Sequence, residues 1–349
     1  MRGQTVALAA ALIAAQMPAT AAAQAPLYRL VGTIPLGAGE RWDYAAFDPS
    51  SGRVYVAHGD HVTVVDPNAG RTVGDIGTFP GGTHGIALAG EAKVGFTDDG
   101  KAGIAAVFDP ATLKVTQRIT VKPDADGIVF DPASGRVYVV DGDSGAISAI
   151  DPKTRAVVAT ISVGSGLEAA SADGEGSLFV DGVERHDIVK IDTRDDKVVA
   201  HFAMPGCERP HGIAVDPKTR RVFATCVNKT MVVVDADTGA NVASVPIGAF
   251  SDGVAFDPAR KRVLSSNGEG MISVIEEKDA NHFVSLGEIP TARSARTIAI
   301  DPATGRLFLP AAAIDPSQPA EQSGGRSRPR YLPGSLKLLV FAPAGKPPS

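Results

Sequence analysis

Seven ionisable residues recur along the chain at steps of 41 to 44 residues, among neighbours that are mostly Gly, Ala or Ile. They are four carboxylates, two imidazoles and one guanidinium: Asp43, His84, Asp126, Glu168, His211, Asp252 and Arg296. Carboxylate oxygens and His nitrogens are ligands of divalent cations, with Ca²⁺ favouring oxygen-rich sets and Zn²⁺ sets richer in nitrogen. If the seven side chains converge, the sequence predicts a ligand-binding site formed by all of them.

Several kinds of chemistry are open to this set. The candidate metal ligands are Asp126, Glu168, His211 and Asp252. A Ca²⁺ or Zn²⁺ ion there could polarise a carbonyl group or lower the pKa of bound water. An uncoordinated His84 or His211 beside a carboxylate could be catalytic as a general base, and Arg296 could hold a substrate carboxylate or phosphate. The alternative is that a water-filled channel requires polar walls whose charges pair with each other. The sequence indicates no other cofactor.

The elements that must position these residues form a sevenfold repeat. Four residues after each ionisable position lies a reference residue, which in five of the seven repeats begins a turn such as Phe130-Asp131-Pro132. Repeats of this length, with short β-branched runs between turn residues, are typical of four-stranded propeller blades. We therefore predict an all-β, seven-bladed β-propeller whose seven ionisable side chains encircle one mouth of the central channel. The reference residues are Phe47, Leu88, Phe130, Ala172, Val215, Phe256 and Ile300.

The third repeat shows the predicted blade most clearly, with antiparallel strands over 127–130, 136–140, 146–151 and 156–161. Residues 28–36 precede the first repeat and have the pattern of a lone strand. We expect this N-terminal strand to complete the last blade as its outer strand, because closure hides edges that would otherwise pair with other chains.

Two segments carry a family resemblance. Arg53-Val54-Tyr55-Val56-Ala57 and Arg136-Val137-Tyr138-Val139-Val140, with the Val-Val-Asp or Ala-Ile-Asp strands that follow them, resemble YVTN-type repeats. These repeats are the units of the bacterial YncE-like, seven-bladed propeller proteins. The resemblance covers nearly all of the chain after residue 23 and implies the propeller fold. It leaves the activity open, because propellers include both binding proteins and enzymes.

The first 23 residues have the pattern of a secretory signal peptide. Arg2 precedes an apolar run over 6–15, and Ala21-Ala22-Ala23 forms a small-residue cleavage motif. The run is shorter than the about 20 residues that a membrane helix needs. We expect residues 24–349 to form a single propeller domain, periplasmic or secreted, with no membrane span after cleavage.

Charge and architecture limit the expected partners. The formal net charge is −5, which argues against bulk nucleic-acid binding because such binding relies on many Lys and Arg contacts. We expect a small-molecule or peptide ligand. We also expect a monomer, since a closed propeller needs no partner for stability.

The two cysteines, Cys207 and Cys226, both lie in the fifth repeat. Cys207 is in the loop before the inner strand and Cys226 is at the end of the second strand, so both lie on the same face. An oxidising compartment favours a disulfide between them. A thiol metal site with His211 and a redox pair are alternatives, but the spacing matches neither CxxC nor CxxCH.

An insertion interrupts the seventh repeat over about 313–334. It is rich in Pro, Ser, Gln and Gly and contains Arg326, Arg328 and Arg330. We expect a flexible loop that overhangs the mouth. The functional alternative is a lid that brings positive charge to an acidic rim and suits an anionic ligand.

Three classes of function fit these observations to different degrees. The first is an exported binding or scaffold protein that holds a small molecule, metal or peptide at the mouth. The second is a metal-dependent hydrolase or lyase, similar to a lactonase, that uses the same acidic and His residues. A quinone- or haem-linked dehydrogenase subunit fits least, because the chain has no haem motif and one Trp. Metal content would separate the first two classes.

Overall fold

Seven four-stranded antiparallel sheets and one two-stranded hairpin contain all the strands of the described residues. The computed structural model describes residues 26–39, 41–164, 166–323 and 326–345, so the predicted signal peptide lies outside the described residues. Within those ranges the one helix is a 3-10 turn, Gly90–Ala92. The chain is a seven-bladed β-propeller, as predicted.

The strands follow one another along the chain blade by blade. The N-terminal strand is β1 (Tyr28–Pro35). Blade one contains β2 (Ala45–Asp48), β3 (Arg53–His58), β4 (His61–Asp66) and β5 (Arg71–Ile76). Blade two contains β6 (Ile86–Ala89), β7 (Val94–Asp99), β8 (Ile104–Asp109) and β9 (Lys114–Thr120), and blade three contains β10 (Ala125–Asp131), β11 (Arg136–Asp141), β12 (Ala146–Asp151) and β13 (Ala156–Ser162). Blade four contains β14 (Leu167–Ala172), β15 (Ser177–Gly182), β16 (Asp187–Asp192) and β17 (Lys197–Ala203). Blade five contains β18 (Pro210–Asp216), β19 (Arg221–Cys226), β20 (Thr230–Asp235) and β21 (Asn241–Pro246). Blade six contains β22 (Ser251–Asp257), β23 (Arg262–Asn267), β24 (Met271–Asp279) and β25 (His282–Pro290). Blade seven contains β26 (Ala299–Ile300), β27 (Leu307–Ala311) and β30 (Lys337–Pro343), and the hairpin within it consists of β28 (Glu321–Ser323) and β29 (Arg326–Arg328).

The N-terminal strand closes the ring, as the sequence predicts. β1 pairs antiparallel with β30, from Tyr28 opposite Pro343 to Pro35 opposite Lys337, and the strand order of blade seven is β26-β27-β30-β1. Each inner strand contacts the inner strand of the next blade, and β2 contacts β26 to complete the circle. Pairing the first strand with the last removes two free sheet edges.

The recurrent Asp-Pro pair builds the turn between the inner and second strands. The buried carboxylate of Asp131 accepts hydrogen bonds from the backbone N–H groups of Ala133 and Ser134, and Gly135 follows with φ of 68°. These are the bonds that an Asx turn supplies, and glycine accepts the left-handed conformation at little cost. Blade four lacks the proline, but Asp173 still accepts bonds from the N–H groups of Glu175 and Ser177.

Aromatic side chains fill the interfaces between blades. Phe47 of blade one stacks on Phe308 of blade seven at 5.5 Å between ring centroids, and Phe223 of blade five stacks on Phe256 of blade six at 5.6 Å. Burying one such side chain contributes roughly 1.5–3 kcal/mol. The core is therefore distributed around the ring, which leaves the polar inner-strand ends free to line the channel.

Cys207 and Cys226 form a disulfide, with 5.4 Å between their Cα atoms. Cys226 lies opposite Pro210 in the β18-β19 pair, so the bond ties the loop before β18 to the sheet. The disulfide indicates an oxidising environment. No helix in the described part of the chain has the length and apolar character needed to cross a bilayer.

The insertion in blade seven contains paired backbone that its composition did not predict. Residue Ile314 bridges to Tyr331, the N–H of Asp315 donates to the carbonyl of Arg330, and β28 pairs with β29 farther out. The segment is therefore a ribbon attached at its base, and the expected flexibility stays a prediction.

Candidate functional site

All seven predicted residues lie at the same end of the inner strands. Four of them are within the first residues of β10, β14, β18 and β22, and the other three precede β2, β6 and β26 by two or three positions. His211 is buried and the other six are half-buried. Ion pairs and charge interactions connect members of the set across blades one to seven. The set is called the mouth ring below.

Arg296 is already paired on one side of the mouth ring. Its Nε donates to Asp252 Oδ2 at 2.7 Å, and Nη2 donates to the Trp42 carbonyl at 2.6 Å and lies 3.9 Å from Asp43 Oδ2. Burial disfavours the charged form, but the carboxylates of Asp252 and Asp43 outweigh it and raise the pKa of Arg296. The guanidinium also lies 5.1 Å from the centre of the Trp42 ring. Arg296 is thus a fixed positive charge in the wall.

His84 is held by a buried carboxylate that sequence analysis missed. Asp98 Oδ2 lies 2.8 Å from His84 Nδ1, and Asp98 Oδ1 accepts the backbone N–H groups of His84 and Gly85. Burial alone would lower the pKa of His84, but the hydrogen bond to Asp98 and the charge of Asp126 raise it to about 10. Because Asp98 engages Nδ1, Nε2 is the remaining hydrogen-bonding atom of the ring.

Glu168, His211 and Asp252 form the tightest cluster of potential ligands. His211 Nδ1 lies 3.4 Å from Glu168 Oε2 and 3.8 Å from Asp252 Oδ1, and one ligand atom from each residue falls within 4.8 Å of the other two. His211 is 3% exposed, and its Nδ1 is buried without a hydrogen-bond partner. These are three of the four predicted metal ligands; Asp126 is not part of this cluster.

Two other carboxyls of the mouth ring have perturbed pKa values. Burial, opposed by the charges of Arg296 and His84, raises the pKa of Asp43 to about 6. Burial and the charge of Glu168 raise the pKa of Asp126 well above its ordinary value. Desolvation disfavours the ionised carboxylate, so Asp126 retains its proton to higher pH than an exposed Asp does.

A further buried carboxyl, Asp181, lies behind Glu168 on β15. It is fully buried, both of its oxygens lack a hydrogen-bond partner, and burial followed by the charge of Glu168 raises its pKa well above the ordinary range. Asp181 is equivalent to Asp98 in strand register, because each follows the residue that pairs with the position two before the reference residue of its repeat. Their offsets from the reference residues differ by one in the sequence, so the repeat pattern did not identify Asp181.

Tyr44 forms the floor of the mouth. It belongs to blade one but packs against a buried cluster of blades four and five that includes Ala169 and Ile213, so its ring crosses the channel. Its hydroxyl is buried without a partner, and burial with the nearby charges of Glu168 and Asp126 raises its pKa.

The other six repeats have small residues at the position of Tyr44: Gly85, Gly127, Ala169, Gly212, Gly253 and Thr297. A Cβ on Gly127 would lie 2.8 Å from the Glu168 carbonyl oxygen, so the inner strands approach too closely for larger side chains. One tyrosine among small residues was the signal that could have identified it.

The insertion reaches the mouth ring through Tyr331. Its ring lies 4.7 Å from the Trp42 ring, which in turn packs against the Arg296 guanidinium. Trp42 is buried between these groups rather than open to the channel. The base of the insertion therefore contacts the wall of the mouth.

The fold and the mouth ring define a seven-bladed β-propeller with an ionisable site at one end of its channel. Hydrazine synthase from Kuenenia stuttgartiensis is similar, with 14% identity and a TM-score of 0.67 over 84% of this chain and 96% of that chain. A chain in the crystal structure of the mitotic checkpoint complex is similar too, with 14% identity and a TM-score of 0.72 over 98% of this chain and 99% of that one. No protein-family model and no curated protein sequence matches the chain. These likenesses concern the fold alone, and a shared fold does not by itself assign a function.

Proposed function

We propose that the protein is an exported binding protein that holds a divalent cation at the mouth of its propeller, with Glu168, His211 and Asp252 as ligands. The observation that carries the proposal is His211 Nδ1, a buried ring nitrogen without a hydrogen bond between two carboxylate oxygens. Leaving a buried polar atom unsatisfied costs about 1–3 kcal/mol, and bringing two carboxylates together adds repulsion. A cation bound by all three residues removes both costs.

The ligand set favours Zn²⁺ over Ca²⁺. Zn²⁺ binds three protein ligands, commonly His and carboxylates, and leaves a further position for water or another molecule. Ca²⁺ takes six to eight oxygen ligands, more than Glu168 and Asp252 supply. An ion held by these three residues would therefore keep an open coordination position toward the channel.

The export part of the proposal rests on the sequence and the disulfide. The signal-peptide pattern over 1–23 and the bond between Cys207 and Cys226 agree on an oxidising compartment, which we take to be the periplasm or the cell exterior. The YVTN-like segments support assignment to the YncE-like propellers, and the repeat pattern is the basis for that assignment.

Metal analysis tests the proposal. Mature protein purified without chelators and equilibrated with Zn²⁺ should contain one equivalent by elemental mass spectrometry. His211→Ala and Glu168→Gln should lose it, whereas His282→Ala, an exposed His beside Asp279, should retain it. Circular dichroism checks that each variant is folded. A zinc-free native protein, or full zinc content in His211→Ala, would contradict the proposal.

A metal-dependent hydrolase or lyase is the second candidate, and the pairing of His84 with Asp98 favours it. A carboxylate that orients a His is common in acid–base catalysis. Because its pKa is about 10, His84 is protonated at neutral pH and would donate a proton or a hydrogen bond. Zinc-dependent opening of a lactone that is lost in His84→Gln would support this function, and zinc binding without turnover of lactones or esters would reject it.

A further inference from the structure

Phe250 lies at the rim of the mouth with its apolar ring exposed to solvent. It is 72% exposed, the highest value of the large apolar side chains in the described residues, and lies two positions before Asp252. A Cβ on Gly268 would be 3.3 Å from Phe250 Cβ and 3.5 Å from Arg296 Cβ, so the phenylalanine adjoins the mouth ring. An exposed aromatic ring gains nothing from burial in the free protein and is typical of contact sites.

The backbone of Phe250 also has a strained conformation, which the equivalent residues of other blades share. Its φ is 60°, in the left-handed region that disfavours bulky residues. The equivalent positions of five other blades also have positive φ: Gly82, Asp124, Gly166, Arg209 and Ser294. The carbonyl of Phe250 accepts the N–H of Gly268 at 2.9 Å, and that of Asp124 accepts the N–H of Gly142 at 2.8 Å. The turn therefore requires this conformation, and blade five meets it with another large residue, Arg209. What distinguishes Phe250 among the equivalent positions is its exposed apolar ring.

The mouth beside Phe250 offers complementary polar groups. The proposed cation would keep an open coordination position, and Nε2 of His84 is not engaged by Asp98. A ligand that satisfies these groups needs oxygen atoms at one end, whereas Phe250 offers a flat apolar face at the other. Aromatic rings pair through such faces in offset or edge-to-face geometry.

Resting on the proposed cation site, we infer that the mouth binds a small aromatic carboxylate, with its carboxylate on the cation and its ring against Phe250. The cation supplies the positive charge that a carboxylate needs, because Arg296 is already paired with Asp252 and Trp42. Phe250 thereby selects aromatic over aliphatic carboxylates.

Calorimetric titration of the zinc-loaded protein with salicylate and with lactate tests the inference, since both are hydroxycarboxylates and only salicylate has a ring. We expect salicylate to bind about fivefold or more tightly than lactate. Phe250→Gly should remove that preference, keep the zinc content, and raise the melting temperature because the left-handed strain is relieved. Asp124→Gly, the matched change in blade three, should leave the preference intact.

The outcomes separate the two proposals. Zinc binding with equal affinity for the two acids, or a preference that survives in Phe250→Gly, would overturn the role of Phe250 and leave the cation site standing. Failure of the native protein to bind zinc would overturn both.

Discussion

Asp98 and Asp181 occupy the same position in blades two and four, yet Asp98 makes three hydrogen bonds, to His84 and Gly85, and Asp181 makes none. The difference follows from one residue in each blade. Asp98 faces His84, which can carry a positive charge, whereas Asp181 faces Glu168 at the equivalent position. The repeat therefore places two equivalent buried carboxyls beside residues of opposite charge, and burial raises the pKa of both.

Opposite effects on stability are expected when these two residues are changed to Asn. The pKa of Asp181 is raised, so the folded state binds a proton that the unfolded chain releases, and this contribution to stability is lost as pH rises above the ordinary carboxyl range. Asp181→Asn should therefore gain stability relative to native protein at pH 8 and little at pH 4. Urea unfolding in EDTA at the two pH values measures this.

Asp98→Asn is the matched comparison. It removes a charge-assisted hydrogen bond to His84 and should lose about 1.5–3 kcal/mol at pH 7. Equal destabilisation by both substitutions at pH 8 would contradict the different roles assigned to the two carboxyls.

Because the His58 ring is buried, the stability of the protein should decrease in mild acid. The ring is 1% exposed, Nδ1 lies 3.0 Å from Thr63 Oγ1, which donates to Asp75, and Nε2 has no partner. Burial, with the charge of His61, lowers its pKa from 6.5 to about 4. His58 in the unfolded chain binds a proton near pH 6.5, whereas His58 in the folded protein stays neutral to about pH 4. The free energy of unfolding is therefore highest above pH 6.5 and falls by up to about 3 kcal/mol toward pH 4.

The pH dependence of urea unfolding in His58→Gln measures this effect. Its decline in stability between pH 6.5 and 4 should be shallower than that of the native protein, whereas exposed His282→Gln should reproduce the native slope. An unchanged slope in His58→Gln would show that other groups cause the acid sensitivity.

The disulfide should stabilise both the fold and the proposed cation site. A crosslink that closes a loop with a sequence separation of 19 contributes about 3 kcal/mol by restricting the unfolded chain. Cys207→Ser with Cys226→Ser should lose about this amount and bind Zn²⁺ more weakly, because the loop before His211 is no longer tied to β19. Unfolding with and without dithiothreitol gives the first value, and the double variant serves as the control that the reductant should not affect. Native stability that dithiothreitol leaves unchanged would contradict this role.

In the ligand-free protein, the ring of Tyr44 rather than its hydroxyl should contribute to the stability of the fold. Tyr44→Ala leaves a cavity beside Ala169 and Ile213 and should lose about 3 kcal/mol. Tyr44→Phe keeps the ring, removes a buried hydroxyl that has no partner, and should be as stable as the native protein. Thermal melts of both variants decide this, and a large loss in Tyr44→Phe would imply a structural partner for the hydroxyl.

The fold was predictable because each repeat encodes its own turn and strands. The Asp131 carboxylate and Gly135 build a turn in blade three that Asp257 helps to build in blade six, and its Asp-Pro pair occurs in five of the seven repeats. A repeated local pattern therefore specifies the ring. The mouth ring was predictable for the same reason, since equivalent positions in a symmetric fold lie at one level of the channel.

The residues that sequence analysis missed act across the repeat rather than within its pattern. Asp98 lies on the second strand, and its importance depends on a contact with His84 14 residues earlier in sequence. Tyr44 contacts blades on the opposite side of the ring, which no local periodicity reports. The hairpin of β28 and β29 pairs short polar segments without alternating apolar residues, so its sequence has the composition of a loop.

The central claim is that Glu168, His211 and Asp252 hold a divalent cation, and anomalous diffraction from crystals grown with Zn²⁺ tests it most directly. We expect one anomalous peak at the mouth, at about 2.0–2.2 Å from His211 Nδ1 and from a carboxylate oxygen of Glu168 and of Asp252. The cation site would be contradicted if the mouth has no peak while Zn²⁺ occupies another pair of a His and an Asp, such as His61 and Asp60.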